Sequence, residues 1–463
     1  MIGVVVVHYE DQVGLDRVLN ALEHQGEELR VVVADDGSAT APTLGDRPYP
    51  VDLVSQDDLG FRAAAARNLG ARALLQHSDI DVLLFLDGDT IPAPGYVSAL
   101  AAATRTTATG APHGRALAVG RRRYADLTGL DETEVAAFVA ADEPDPRRIL
   151  PDPTWLEDGY AATAHLTEAD DRSYRFVISS VLALTPALLT EIGGFDDSFV
   201  GYGGEDWDLG NRAWLAGADL RYEPRALAWH DGPDAAGRDD ASLDADTERD
   251  TDGDTENPCG VDRLRIDNQI RERDTAETLR LARVITEPGA RDAALIWEYP
   301  DVAITFHDEG LPPVDVLLTC ADLLRGSDAQ IWLSDGAVVR SGLWPTSDSR
   351  VHHGPIPDDV RARARFRVRV SAPVRLTVPL RALCARAPMQ VPGLLISHSR
   401  ALARGEGLPP LVTDDDVRGP RIPPDLEAEW GWRTADTLPV LSTTSDTCPA
   451  RQPCPDDTER DPR

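Results

Sequence analysis

Between Val4 and Leu86 the chain alternates short apolar runs with segments of helical periodicity, and few folds accept that order. Val4–Val7, Val31–Val33, Val51–Val54 and Asp81–Leu86 read as strands, the last a nearly continuous apolar run suited to a sheet covered on both faces. Leu15, Val18, Leu19 and Leu22 share one helical face, and an Ala-rich helix is predicted from Phe61 to Leu75. A βαβαβ alternation predicts a mostly parallel sheet flanked by helices. Ligands of such sheets sit beyond the carboxyl ends of the strands. Two acidic loops fall there: Asp35-Asp36-Gly37-Ser38 and Asp87-Gly88-Asp89.

At 463 residues the chain has room for two or three domains, and composition divides it. From Pro233 to Gly260 nearly every residue is small, acidic or polar, which cannot repay the entropy of ordering. The expected division is an α/β domain over 1–232, a disordered linker over 233–260, a second, smaller α/β domain over 261–441 and a disordered tail over 442–463. The second domain should open with a helix around Asp262–Val284. The 46 basic residues are all Arg, and 79 acidic residues bring the net charge to −33. So acidic a surface works against binding nucleic acid or an anionic bilayer. No apolar run approaches the roughly 20 residues of a membrane helix. Met1 leads into Ile2-Gly3-Val4 without the basic stretch of a signal peptide, and five Cys lack disulfide-framework spacing. The expectation is a soluble, reduced, cytoplasmic protein.

Asp87-Gly88-Asp89 follows the strongest strand, so both carboxylates emerge at the carboxyl edge. Two carboxylates one residue apart can approach a hard divalent cation, and that cation can neutralise a diphosphate. Solvated turn carboxylates would look the same, so the tripeptide needs company. It comes from Gly193-Gly194-Phe195-Asp196 and Gly201-Tyr202-Gly203-Gly204-Glu205-Asp206-Trp207-Asp208. There Glu205 and Asp206 enter the first turn of a helix, where the dipole favours carboxylates. Capping alone does not require the three acids and three glycines of the second stretch. His230 closes a further strand and is a candidate third ligand.

Together with Ala66-Arg67-Asn68-Leu69-Gly70, these motifs make residues 1–232 resemble a family 2-type inverting glycosyltransferase of the GT-A fold. The distal half resembles the galactosyltransferase module of β-1,4-galactosyltransferases and chondroitin-polymerase-type enzymes. The resemblance implies that Tyr9, Glu10, Asp35 and Asp36 hold the nucleotide base and ribose, with uridine expected. It places Arg67, Asn68 and Arg62 against the nucleotide sugar and its diphosphate. Asp89 and His230 become metal ligands, and Asp87 a metal or ribose contact, for Mn²⁺ or Mg²⁺. Asp206 becomes the base that deprotonates the acceptor hydroxyl, Glu205 positions the sugar, and Gly203, Gly204 and Trp207 meet the acceptor. The partners implied are a UDP-sugar donor of a hexose or N-acetylhexosamine and a carbohydrate-type acceptor.

Four features stand apart. Ser179-Ser180 occupies a place where many relatives carry a small residue and Asn, and Arg121-Arg122-Arg123 reads as a solvated run or as a contact for an anionic acceptor. The alternation from Arg361 to Arg369 reads as a strand with one Arg face, suited to pairing with acidic surface. Shifting the chain by 299 positions lays His8, Glu10, Leu19 and Asp36-Gly37 on His307, Glu309, Leu318 and Asp335-Gly336. That overlap suggests either a degenerate second copy of the opening unit, without a second Asp-x-Asp, or only the likeness that any two βαβ units share. The second domain is then a candidate surface for a homodimer or for acceptor. Two rivals remain: a haloacid-dehalogenase-type phosphatase, disfavoured because the chain has no Lys, and a non-catalytic, transferase-derived binding or scaffold protein.

Overall fold

The computed structural model describes residues 1–105, 115–201, 203–233, 277–292, 295–334, 348–412, 414 and 416–418. The expected linker, but for Pro233, and the expected tail lie outside the described residues, as does the helix predicted from Asp262 except for 277–284.

The first unit holds β1 (Ile2–His8), α1 (Gln12–Leu22), β2 (Leu29–Asp35), β3 (Val51–Ser55), α2 (Ala63–Leu74), β4 (Val82–Asp87), β5 (Thr90–Pro92) and α3 (Tyr96–Arg105). It continues through β6 (Ala116–Ala125), α4 (Glu132–Ala140), α5 (Thr154–Ala162), β7 (Val181–Leu184), α6 (Pro186–Glu191), α7 (Glu205–Leu215) and β8 (Asp219–Asp231). Its eight-stranded sheet runs β3-β2-β1-β4-β7-β6-β8-β5. The first four strands are parallel, and β7 enters antiparallel between β4 and β6. Central β4 is why the Val82–Leu86 run lacks polar alternation: all five side chains are fully buried. Each such burial contributes roughly 1.5–3 kcal/mol.

The crossover helices are set by local chemistry. Asp11 caps α1 by accepting from the Gly14 N–H at 2.9 Å. Gly14 is obligatory there, since a Cβ would lie 2.8 Å from the Gly88 carbonyl oxygen. The start of α1 is thereby seated on the Asp87-Gly88-Asp89 loop. Beyond Gly120, β6 shifts register against β8, and this bulge re-aims the Arg121–Arg123 run.

A second sheet runs β11 (Val351–His353), β10 (Ala329–Leu333), β9 (Val302–Phe306), β12 (Phe366–Val370), β14 (Leu394–His398) and β13 (Met389–Val391). Strand for strand, the neighbours and directions are those of β3-β2-β1-β4-β7-β6. Val5 faces Val32 across β1 and β2, and the positions 299 residues on, Ile304 and Ile331, face one another across β9 and β10. A helix over Pro313–Leu324 joins those strands as α1 joins β1 and β2. A duplicated unit requires this order, and we carry the repeat forward as a proposal. Where β4 ends in Asp87-Gly88-Asp89, β12 ends in Val370 followed by Ser371 and Ala372.

The Arg361–Arg369 stretch is not one strand. A helix covers Asp358–Arg363, and β12 begins only at Phe366. Pro357 starts the helix, and two Asp in its first turn suit the dipole. Its arginines do meet acidic partners: Arg363 pairs with Asp196 and Asp208, and Arg365 pairs with Asp301 and Asp171. Three of those four partners lie in the first unit. The helix over 277–284 also packs there, since Leu281, Val284 and Ile285 belong to the first hydrophobic core.

Candidate active site

Four loops bring the predicted residues to the carboxyl edge of the first sheet. The Asp35–Ser38 loop is largely self-bound: the Ser38 hydroxyl donates to Asp35 at 2.5 Å, and its N–H donates to the same carboxylate. Asp36 accepts from the Arg62 N–H at 2.8 Å and from the Gln56 amide at 2.5 Å. Glu10 takes a positive φ of 57° and accepts from the Ala39 N–H at 2.6 Å, so it anchors this loop. Tyr9 is half-exposed beside it, with Asp58 as its chief electrostatic neighbour. Asn68 points to the opposite wall. It accepts from the Phe195 N–H at 2.9 Å and donates to the Phe195 carbonyl at 2.8 Å, clamping the Gly193–Asp197 loop.

Arg67 is the hub. Buried on α2, it donates to Asp87 at 2.7 Å and to Glu205 at 2.9 Å. Burial opposes its charge, but Asp87 and Glu205 outweigh burial and raise its pKa above the ordinary value. One guanidinium thus joins the end of β4 to the start of α7. Asp206, the next residue along, points into a cavity of about 290 Å³. Arg67, Asp87, Gly203, Gly204, Glu205 and Trp207 line that cavity with it. Burial chiefly, and the neighbouring Glu205 charge, push the Asp206 carboxyl up to about 7, against the opposing pull of Arg67. The Trp207 N–H donates to it at 2.8 Å. A carboxylate with this affinity for protons is suited to accept one near neutral pH.

Asp89 and His230 are brought together by backbone pairing, because Thr90 faces His230 across β5 and β8. The Asp89 Oδ1 lies 3.2 Å from His230 Nδ1, and the Asp89 side chain is 36% exposed. Ligands each about 2.1 Å from one ion stand about 3 Å apart, so this carboxylate–imidazole pair fits a shared divalent cation. Asp87 faces Arg67 instead. Among the described residues no group of three or more His, Cys, Asp or Glu is placed to hold a metal. A two-ligand site is compatible with a cation completed by phosphate oxygens and water.

The cavity also contains Phe61, Trp155 and Glu277, which motif reading missed. Phe61 and Trp155 are half-exposed at its walls, with Ser179, Ser180, Arg122 and Glu277. Arg122 was one of a run of three; here it donates to the Ser180 hydroxyl at 3.0 Å and lies over the Tyr124 ring. Its neighbours turn to Glu157 and Asp152. A larger cavity, about 750 Å³, opens beside Trp214, Tyr222 and Arg400 and contains none of the predicted site residues.

Residues 3–126 match the model of glycosyl transferase family 2, and residues 165–227 match that of the N-terminal domain of galactosyltransferase. Residues 3–126 form a family 2 glycosyltransferase domain. The mixed sheet of the first unit, with acidic loops at its strand ends, resembles the GT-A type. Validoxylamine A glucosyltransferase of Streptomyces hygroscopicus subsp. limoneus is 30% identical over 232 residues, 48% of this chain and 49% of that protein. Hyaluronan synthase of Pasteurella multocida is 27% identical over 228 residues, 44% of this chain and 22% of that one. The chain spans about half the length, or less, of these curated relatives. Among solved structures, GalNAc-T7 with UDP, GalNAc and Mn²⁺ aligns with a TM-score of 0.35 at 17% identity, over 50% of this chain and 44% of that one. No described helix is long and apolar enough to cross a membrane.

Proposed function

We propose that this glycosyltransferase domain moves a hexose or N-acetylhexosamine from a UDP-sugar to a carbohydrate-type acceptor, with inversion. The observation that carries the reading is the division of labour on α7. Glu205 is neutralised by Arg67, while Asp206, with its raised proton affinity, lines the cavity. An inverting displacement needs one base on the side opposite the leaving group. Asp206 fills that role by taking the acceptor hydroxyl proton as the oxygen attacks the anomeric carbon. Glu205 and Arg67 fix the first turn of α7, so the base is held in place rather than reoriented during reaction. Tyr9 and the Asp35–Ser38 loop border the nucleotide.

Asp89 and His230 would hold Mn²⁺ or Mg²⁺, which supplies positive charge to the departing diphosphate. Thermal shifts with UDP, GDP, dTDP and CDP, each with and without Mn²⁺, test the donor site. UDP with Mn²⁺ should stabilise the wild-type protein, and Asp89→Asn should lose at least about half of that shift through weaker binding. No shift with any nucleotide would sink the reading.

The pH profile follows from the same residue. The base works only when deprotonated, so kcat/KM should fall about tenfold per unit below pH 7 and level off above it. Glu205→Gln removes a raising charge and should move that limb to lower pH. An unmoved limb would assign the titration to another group.

A further inference from the structure

The cavity of about 750 Å³ lies apart from the one under α7, and its volume is that of a small-molecule site. The start of β8 supplies Asp219 to Arg225, and the last turn of α7 supplies Trp214. The second unit adds Arg400 and Arg404, from the helix over Ser399–Ala403 and the residue after it. One wall is built at a conformational cost. Ala164, His165 and Leu166 stand consecutively at φ 47°, 58° and 65°, a left-handed turn that residues with a Cβ rarely adopt. Backbone pairing holds it: the His165 N–H donates to the Tyr160 carbonyl at 2.7 Å, and the His165 carbonyl accepts from the Tyr222 N–H at 3.2 Å. Strain of this kind persists where the surroundings over-determine it, and it collects at ligand sites.

The cavity's charge is opposite in sign to that of the chain. Arg221, Arg400 and Arg404 all turn to one carboxylate, Asp219, at 3.7, 3.8 and 3.0 Å. Arg225 is matched separately by Glu223 at 2.8 Å. Four guanidinium groups therefore meet two carboxylates along this lining. Arg400 also lies over the Trp214 ring and donates to the carbonyls of Trp214 and Ala218, which fixes it without neutralising it. Burial chiefly, and the neighbouring Arg404 charge, push the Arg400 guanidinium down to about 10, against the pull of Asp219, Asp171 and Glu406. Asp171 is itself engaged by Arg365 and His398. Exposed charges more than about 8 Å away are screened at physiological salt, so the acidity of the whole surface does not cancel this local excess for a small ion.

We propose that this cavity binds a phosphate group, that of a phosphorylated small molecule or the free ion, with Arg221 and Arg404 donating to its oxygens beside a fixed Arg400. A guanidinium fork matches phosphate oxygens through paired N–H bonds. A phosphate monoester carries nearly two negative charges at neutral pH, which balances the excess of guanidinium over carboxylate, whereas a carboxylate brings one. Arg221 belongs to the first unit and Arg404 to the second, so the bound phosphate bridges them. The site uses none of the groups assigned to glycosyl transfer and stands whether or not that reading holds.

The test is calorimetric titration of the full chain in EDTA, which keeps divalent cations from drawing phosphate to Asp89 and His230. Probes are glucose 6-phosphate, inorganic phosphate, glucuronate and glucose. Glucose 6-phosphate should bind at least about tenfold more tightly than glucuronate or glucose. Arg221→Gln and Arg404→Gln should each weaken its binding about tenfold, while Arg62→Gln, at the proposed donor site, should leave it unchanged. Inorganic phosphate separates the two sources: weaker binding than glucose 6-phosphate supports a phosphorylated small molecule, and equal binding supports the free ion. No binding of either phosphate probe at millimolar concentration overturns the proposal. So does an affinity within about twofold of wild type in both Arg221→Gln and Arg404→Gln, or glucuronate bound as tightly as glucose 6-phosphate. Weakening by Arg62→Gln instead would place the phosphate at the donor site and overturn it as well.

Discussion

Asp206→Asn is expected to lower kcat about 10³-fold while leaving UDP affinity within about twofold of wild type. The amide keeps the shape and can still accept from the Trp207 N–H, but it cannot take a proton at neutral pH. The Asp35–Ser38 loop and the Asp89–His230 pair, proposed to meet the donor, do not involve this side chain, so nucleotide binding has no reason to change. Steady-state turnover and calorimetric titration with UDP and Mn²⁺ separate the two effects. Full turnover by this variant would remove Asp206 as the base.

Arg363→Ala is expected to cost about 3 kcal/mol of unfolding free energy, read as a lower urea midpoint. Arg363 leaves the second unit to meet Asp208, which is wholly buried on α7, and Asp196 at 2.7 Å. Removing the guanidinium leaves Asp208 paired with Arg212 alone, at 2.7 Å. Because Asp208 lies two residues beyond Asp206, the loss should also reduce kcat. Arg363→Lys keeps the charge but not the two-pronged geometry, so it should recover only part of the stability. An unchanged midpoint in Arg363→Ala would mean that the two units are joined without this contact.

Both variants probe contacts of unequal legibility in sequence. The apolar runs at Val4–Val7 and Val82–Leu86 are strands because the pattern left no other use for them, and the acidic loops fall where strand ends must place them. The α7 carboxylates were legible because glycines with positive φ at Gly203 and Gly204 precede a helix with acids in its first turn. The partners of those acids were not. Nothing local says that Arg67 bonds Asp87 and Glu205, or that Asn68 closes on Phe195; those are pairings between segments far apart in sequence. Arg361–Arg369 misled because alternation marks a strand only where no helix start interrupts it, and Pro357-Asp358-Asp359 is such a start. Glu277 carried no signal at all, since its place beside the cavity depends on a helix docking onto a turn some 70 residues earlier.

The central claim is an inverting transfer from a UDP-sugar in the cavity under α7. Proton NMR of the glycoside formed from an α-linked UDP-sugar tests it most directly, because the new acetal centre keeps the configuration in which it was made. The account predicts a β-configured product from wild type and none from Asp206→Asn. An α-configured product would contradict it.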